Sequence, residues 1–278
     1  MSRISGDVLI CDVRDDLGRD NLNDLRQTGL LIALLDDVTG RRLAADLVFY
    51  PPIPQLEGLS WTGFSGRLYV GWEWVVLRRD VRNAQRTTVS PRPRIVVTMG
   101  GSDPFEFTIK AVCALELIDH DADAIVVLGP GFCHSRKFSE QTARLRRTID
   151  VRSTVTNLPD LLAHADLVLG SFGTTAYEVA VMGVPGIFLC ASEDHKESAK
   201  AFMNAGFGIS LGLGSEVDEK TLAQTIDDEL AKQVNDPLRN TGPNSGQIID
   251  GFGAERVAEQ IVMAMRERDR SYEAMAVS

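Results

Sequence analysis

The sequence has 278 residues, a hydrophobic content of 44% and a charged content of 24%, which are ordinary values for a globular protein with a sizeable core. Its formal net charge of −10 argues against nucleic acid or an anionic membrane surface as the main partner. The four cysteines have no metal-ligand spacing, no apolar run is long enough to span a bilayer, and no secretory signal pattern is present. We therefore expect a cytoplasmic protein without a membrane span, a metal site or a cofactor.

The first part of the chain predicts closely spaced strands with helical crossovers. Each strand is a short apolar run that ends in acidic residues, in prolines or in a loop, and the runs cover residues 7–12, 30–35, 46–50 and 68–72. This spacing is typical of a parallel α/β domain.

Residues 78–93 are rich in Arg, Asn, Gln, Thr and Pro, and this composition predicts a linker. Strand and helix patterns alternate after it, and a last amphipathic helix covers residues 254–266. We therefore divide the chain into a first domain, a second domain and a C-terminal helix with its tail, at residues 1–87, 88–252 and 253–278.

The segment from Val168 to Cys190 predicts a strand, a glycine turn, a helix and a second strand. Thr174 and Thr175, which follow Gly173, can cap the helix through their hydroxyls. A helix that begins after such a turn presents free N–H groups and the positive end of its dipole, so it can hold a phosphate without lysine or arginine. Glu178 would then accept hydrogen bonds from ribose hydroxyls, or it is a surface residue of the helix.

Another glycine turn, Gly100-Gly101-Ser102, lies earlier in the chain and is called the first glycine turn, the one at Gly173 being the second. It follows a predicted strand and precedes a helix that Ser102 or Asp103 can cap. Alone it would be a plain strand-to-helix turn, since it matches neither a Walker loop nor GxGxxG. In a parallel sheet, however, such turns converge beyond the carboxyl ends of the strands. The two glycine turns together therefore favour a ligand site.

Two weaker signals accompany these turns. Glu193, Asp194 and His195 follow a strand and begin a helix, either at the mouth of the site or with Asp194 as a simple N-cap. Asn157 follows another strand, where it can pair with a base edge or cap a helix. The other histidines have no partners at catalytic or metal-binding spacing: His120, His134 and His164.

Several segments resemble the UDP-sugar hydrolase family of pseudaminic acid biosynthesis and its spore-coat polysaccharide relatives. The resemblance is carried by VVTMGGSDPFEFT, by LPDLLAHADLVLGSFGTTAYEVAVMGVPGIFL and by EDHKESAKAFMNAGFGISLG, at residues 96–108, 158–189 and 193–212. Residues 9–16, 30–49 and 68–80 resemble the later part of the family's N-terminal domain. The resemblance implies a GT-B fold of two Rossmann-like parallel-sheet domains, with the last helix crossing back onto the first domain.

The resemblance also implies roles for individual residues. The first glycine turn would face the sugar-nucleotide donor, the second would hold its diphosphate, and Glu178 would hold its ribose. Residues 193–195 match a Glu-Asn-Gln element of the family, but here they are Glu-Asp-His. The implied nucleotide-sugar-binding residues are Gly100, Gly101, Ser102, Gly173, Thr174, Thr175, Glu178, Glu193, Asp194 and His195.

A Gly-His-x-x-Arg motif, which carries the proposed catalytic base of the family, is absent from this sequence. The catalytic residues are therefore unknown, and we expect an abbreviated N-terminal domain. Its exposed sheet edge would be covered by a homodimer partner, by another chain or by a different packing. The predicted function is a UDP-sugar hydrolase or glycosyltransferase of glycan biosynthesis that acts at the anomeric carbon. The alternative is a donor-binding subunit that needs a partner for the base.

Overall fold

The computed structural model describes residues 7–12, 17–84, 92–153, 155–235 and 249–277. Contacts divide the chain into two units, Met1–Val76 with Asp250–Ser278, and Leu77–Ile249. The predicted domain boundary between residues 87 and 88 lies outside the described residues. Each unit is an α/β domain built on a parallel sheet, which confirms the predicted fold class.

The described residues form ten strands and eight α-helices. The strands are Val8–Cys11 (β1), Leu31–Leu35 (β2), Leu47–Tyr50 (β3), Arg67–Val70 (β4), Arg94–Thr98 (β5), Asp123–Val127 (β6), Ile149–Arg152 (β7), Leu167–Ser171 (β8), Gly186–Cys190 (β9) and Ile209–Leu213 (β10). The helices are Arg19–Gln27 (α1), Phe107–Leu115 (α2), Ser135–Thr142 (α3), Leu158–Ala163 (α4), Thr174–Met182 (α5), Glu193–Asn204 (α6), Glu219–Asn235 (α7) and Gly253–Val277 (α8).

The first unit contains a four-stranded sheet in the order β1-β2-β3-β4, with every pair parallel. One face of this sheet packs on α1 through Leu22. The other face packs on α8 through Val257 and Ile261. The two central strands are apolar throughout because both of their faces are covered.

The second unit contains a six-stranded parallel sheet in the order β10-β9-β8-β5-β6-β7. From β5 the chain proceeds outward to β6 and β7, then returns to β8 on the other side of β5. The carboxyl ends of β5 and β8 are therefore neighbours, and Thr98 pairs with Gly170 there. This is a topological switch point, where the connections that follow two adjacent strands diverge and leave a crevice.

One face of this sheet carries an extensive apolar core. Ile95, Val97 and Leu169 on the strands pack against apolar residues of α2 and α7. Because these strands are held by buried side chains and by neighbours on both edges, the loops at their carboxyl ends start from fixed positions.

Candidate functional site

The first glycine turn lies directly after β5, beside the switch point. Gly100 has a φ of 81°, which favours glycine. A Cβ added at Gly100 or Gly101 would meet no atom within 4 Å, and Ser102 is exposed. The backbone of this turn is therefore open to a ligand.

Asp103 caps the helix that follows this turn. Its carboxylate is 4% exposed and accepts hydrogen bonds from the amides of Phe107, at 2.9 Å, and Thr108, at 2.8 Å. The N-cap residue of α2 is Glu106, whose side chain makes no cap, and Asp103 supplies the predicted capping contact from three residues earlier. Because this carboxylate already satisfies the first amides of α2, that helix end is occupied by the protein itself.

The second glycine turn lies directly after β8, and α5 begins at its end. The N-cap residue is Gly173, and no side chain caps the helix. The prediction that Thr174 and Thr175 cap it was wrong, because both lie inside the first helical turn. The amide of Ala176 donates to Gly173 O at 2.9 Å, and a Cβ at Gly173 would meet no atom within 4 Å. The start of α5 therefore has the uncapped amides and the open space that an anion site needs.

Glu178 lies in the second turn of α5 and is buried, at 8% exposure. The surface alternative for this residue was therefore wrong. Among the described residues its carboxylate has no hydrogen-bond partner. Burial raises the pKa of Glu178, and the nearby Arg78 guanidinium opposes that rise while Asp80 adds to it. Neither carboxylate oxygen is among the fully inaccessible side-chain atoms that lack a partner. The carboxylate therefore remains open to donors from a ligand.

Arg78 and Asp80 were missed by the sequence reasoning. The Nε and Nη2 atoms of Arg78 donate to the two carboxylate oxygens of Asp80 at 2.6 and 2.5 Å. The short 3-10 helix Val81–Asn83 that follows them packs against α5. Their separation from Glu178 in the sequence left no signal that would have predicted this neighbourhood.

Glu193, Asp194 and His195 form the first turn of α6, directly after β9. The helix is capped by Ser192, whose Oγ accepts from the His195 amide at 3.2 Å, so the predicted cap by Asp194 was wrong. The His195 ring lies 6.4 Å from the ring of Phe172, measured between centroids. Since Phe172 precedes Gly173, this contact places His195 next to the start of α5.

Asn157 follows β7 and caps α4, with its Oδ1 accepting from the Asp160 amide at 3.3 Å. Strand β7 is at the edge of the sheet and is separated from β5 by β6. The other three predicted segments follow the adjacent strands β5, β8 and β9. The structure therefore brings those three together and gives Asn157 a local capping contact.

A polar cleft of about 920 Å³ lies near the amino ends of β5, β6 and β7, whereas the glycine turns follow the carboxyl ends of the strands. Three of its arginines pair with carboxylates, as in Arg92–Asp121 at 2.7 Å and Arg152–Asp150 at 2.7 Å, and Arg147 donates to backbone carbonyls. Such exposed, paired side chains are typical of a solvated surface.

Two kinds of feature are absent from the part of the chain that the structure describes. It contains no cluster of three or more His, Cys, Asp or Glu side chains arranged to hold a metal ion. None of its helices has both the length and the apolar character that crossing a membrane requires.

Known proteins are similar to this chain in sequence and in structure. The chain is 24% identical over 237 residues to the spore coat polysaccharide biosynthesis protein SpsG of Bacillus subtilis (strain 168), which covers 83% of the chain and 69% of the relative. A putative UDP-N-acetylglucosamine 2-epimerase from Listeria monocytogenes is similar in structure, with a TM-score of 0.61 and 13% identity over 94% of this chain and 75% of that one. Anabaena Alr3699/HepE in complex with UDP-glucose has a TM-score of 0.53 and 15% identity over 96% of this chain and 79% of that one.

These neighbours support the GT-B type of architecture, with two parallel-sheet domains of which the N-terminal one has four strands. The model of the glycosyltransferase family 28 C-terminal domain matches residues 95–250, which are more than half of the chain. That range begins in β5 and includes both glycine turns and the start of α6. The chain belongs to the glycosyltransferase family 28 C-terminal domain family.

Proposed function

We propose that the second unit binds a nucleoside-diphosphate sugar, a UDP-sugar in particular, at the carboxyl ends of β5, β8 and β9. The observation that carries this proposal is the buried carboxylate of Glu178 on a helix whose start has no side-chain cap. An uncapped helix start and a nearby carboxylate are complementary to the two polar parts of such a ligand, the diphosphate and the ribose hydroxyls.

Each part of the donor has a matching element in this arrangement. The amides at Gly173, Thr174 and Thr175 bind the diphosphate, and Glu178 binds the ribose. The Gly100–Ser102 turn and the start of α6 at Glu193 face the sugar. Two similar proteins support this assignment, since one is a spore coat polysaccharide biosynthesis protein and the other forms a complex with UDP-glucose.

The reaction that fits this donor is substitution at the anomeric carbon. The bond between that carbon and the diphosphate oxygen breaks, and the electron pair leaves with UDP. A water or an acceptor hydroxyl forms the new bond and loses its proton. The α5 amides stabilise the charge that develops on the leaving diphosphate. Water as the nucleophile gives a hydrolase, as the sequence resemblance suggests, and a hydroxyl acceptor gives a glycosyltransferase.

The competing proposal is a donor-binding subunit that relies on a partner for the base. It is favoured by the contacts of three histidines, each of which already bonds another part of the second unit. His120 Nδ1 lies 2.6 Å from Asp227 Oδ1, and His164 Nδ1 lies 2.7 Å from Asp160 O. His134 Nε2 lies 3.0 Å from the carbonyl oxygen of Asp103. His120 and His164 come just before β6 and β8, at the amino ends of the strands and away from the glycine turns, and the Nε2 of His134 is already engaged by Asp103 O. None of the three is therefore placed to act as a base on a donor at the carboxyl ends.

The test is UDP binding by calorimetry, followed by UDP release from UDP-N-acetylhexosamines. We expect the purified chain to bind UDP, and Glu178→Ala to weaken binding by about 10-fold or more, since a hydrogen bond to a charged group contributes about 1.5–3 kcal/mol. Glu229→Ala is the control, because Glu229 is also buried but pairs with Lys232 on α7.

The outcomes separate the proposals. Release of UDP and free sugar without an acceptor indicates a hydrolase, and release only with an acceptor indicates a transferase. Binding without release supports the donor-binding subunit. Failure of saturating UDP and UDP-sugars to bind would contradict all three forms of the donor-site proposal.

A further inference from the structure

The loop that follows β6 packs directly against the first glycine turn. The amide of Gly131 donates to Gly101 O at 2.8 Å. A Cβ at Gly129 would lie 2.3 Å from both Gly100 O and Gly101 O, so only glycine permits this approach. The backbone of the glycine turn is therefore supported by a second loop, the one after β6, which the sequence reasoning did not include in the site.

His134, at the end of this second loop, contacts the segment that directly follows the glycine turn. Its Nε2 lies 3.0 Å from Asp103 O, and because a carbonyl only accepts, Nε2 must donate. The Nδ1 atom of His134 lies 3.5 Å from Glu106 Oε1, and the other carboxylate oxygen of Glu106 pairs with Lys137. Cys133 Sγ lies 3.5 Å from the same Nε2. The ring thus bridges both ends of the segment from Asp103 to Glu106.

This segment needs such support because its backbone is strained. Asp103 and Glu106 have φ values of 44° and 59°, in the left-handed region that residues other than glycine rarely adopt. Strained residues persist where surrounding contacts determine their conformation. The contact from His134 to Asp103 O acts one residue after Ser102, at the point where the open glycine turn ends.

We propose that His134 is a positioning residue that holds the Gly100–Ser102 turn in its donor-binding conformation through the Nε2 hydrogen bond to Asp103 O. The proposal rests on the proposed function, because it assumes that this turn contacts the donor. A turn that is held before binding does not lose conformational freedom when the ligand arrives, so affinity rises without a direct contact from His134.

Two substitutions separate the two ring nitrogens. His134→Gln places an amide nitrogen near the Nε2 position and can keep the bond to Asp103 O. His134→Asn places its amide near Nδ1 and can keep only the contact with Glu106. Both variants lose one contact, so we expect similar melting temperatures. We expect UDP affinity close to wild type for His134→Gln and about tenfold weaker for His134→Asn.

Hydrogen exchange of the free protein provides a readout that does not require a ligand. Amides of residues 100–106 should exchange faster in His134→Asn than in His134→Gln. His120→Gln is the matched control, because it removes a histidine contact with Asp227, remote from the turn, and should leave both UDP affinity and loop exchange unchanged.

Equal UDP affinities or equal loop exchange in the two His134 variants would overturn the proposal. So would a loss of affinity in His134→Gln as large as that in His134→Asn. If the wild-type chain binds no UDP, the proposed function and the donor role of the turn both fail, whereas the exchange data still decide whether His134 positions the loop.

Discussion

Replacing Glu178 with glutamine is expected to stabilise the free protein and to weaken its complex with UDP. The side chain is 8% exposed, and burial raises the pKa of its carboxyl. Ionisation of this carboxyl is therefore less favourable in the folded protein than in the unfolded chain. The glutamine amide removes the charge at nearly the same volume.

The size of the effect follows from the surroundings of the carboxylate. A fully buried unsatisfied polar group costs about 1–3 kcal/mol, and the carboxylate of Glu178 is only partly desolvated, so its cost lies at the lower end of that range. The Arg78 guanidinium opposes the rise in the pKa of Glu178 and so offsets part of this cost. The glutamine amide is also polar, so the variant still bears part of the desolvation cost. We expect a net gain of about 1 kcal/mol in the free energy of unfolding, which raises the melting temperature by about 2–4 °C for a domain of this size.

The same pKa shift gives the effect a defined pH dependence. The pKa of Glu178 is higher in the folded protein than in the unfolded chain, so the penalty is absent below the unfolded value of about 4.3 and grows as pH rises through the folded value. The difference in melting temperature between the two proteins should vanish at low pH and reach its full size at neutral pH. The ratio of wild-type to variant UDP affinity should rise over the same range, because ribose hydroxyls donate best to the ionised carboxylate.

Thermal melts and calorimetric titrations with UDP at a series of pH values measure both effects. Glu229→Gln is the control, since this buried glutamate pairs with Lys232 and should gain no stability from neutralisation. A Glu178→Gln protein that is less stable than wild type at neutral pH would refute the claim that the carboxylate is held at a cost. Unchanged UDP affinity would refute its contact with ribose.

Three further substitutions test the local structure. Gly173→Ala should change the free energy of unfolding by no more than about 1 kcal/mol, because the added methyl meets no atom, yet calorimetry should show UDP binding at least about tenfold weaker. Asp103→Asn should lower stability in urea by about 1–2 kcal/mol, since one charge-assisted cap of α2 is lost; an unchanged midpoint would contradict this. Arg41→Leu should cost about 3–5 kcal/mol by leaving the buried Asp37 unpaired, and a stable variant would argue that the pair is dispensable.

The sheets and glycine turns were predictable because they depend on local patterns. An apolar run such as Leu167–Leu169 can only be buried on both faces, and alternation of strands with helices implies parallel pairing. Parallel pairing alone requires the turns at Gly100 and Gly173 to lie on the same side of the sheet, at the carboxyl ends of its strands. Their placement on adjacent strands, however, depends on the crossover from β7 to β8, which no local pattern specifies.

The capping residues were less predictable, because several neighbours had suitable side chains. Ser192 caps α6 where Asp194 was expected, and Gly173 occupies the cap position of α5 where the threonines were expected. Each error is a shift of one or two residues in where the helix begins. The choice depends on the φ and ψ angles of a single residue, which composition does not determine.

The supporting residues could not be predicted, because their contacts join distant parts of the chain. His134 reaches Asp103, 31 residues earlier in the sequence. Arg78 acts on Glu178 from a separate segment before β5. The glycines at residues 129 and 131 were a weak signal for a close backbone approach, but nothing in the sequence identifies the turn that they contact.

The starts of α2 and α5 differ in whether they can bind an anion, which matters in a chain of net charge −10. At α2 the carboxylate of Asp103 fills the helix start, whereas at α5 the first amides are left for a ligand. Residues 99–106, 171–178 and 193–195 contain no lysine or arginine. In the proposed site, a diphosphate would be held by short hydrogen bonds and by the helix dipole, against the long-range negative field of the protein.

Salt dependence therefore distinguishes this site from one built on cations. Salt screens long-range repulsion between the acidic protein and UDP but has little effect on hydrogen bonds at contact distance. We expect UDP affinity to stay constant or to rise between about 0.05 and 0.5 M NaCl, measured by calorimetry. A steep fall in affinity with salt would show that lysine or arginine side chains hold the diphosphate, and the uncapped start of α5 would then not be its site.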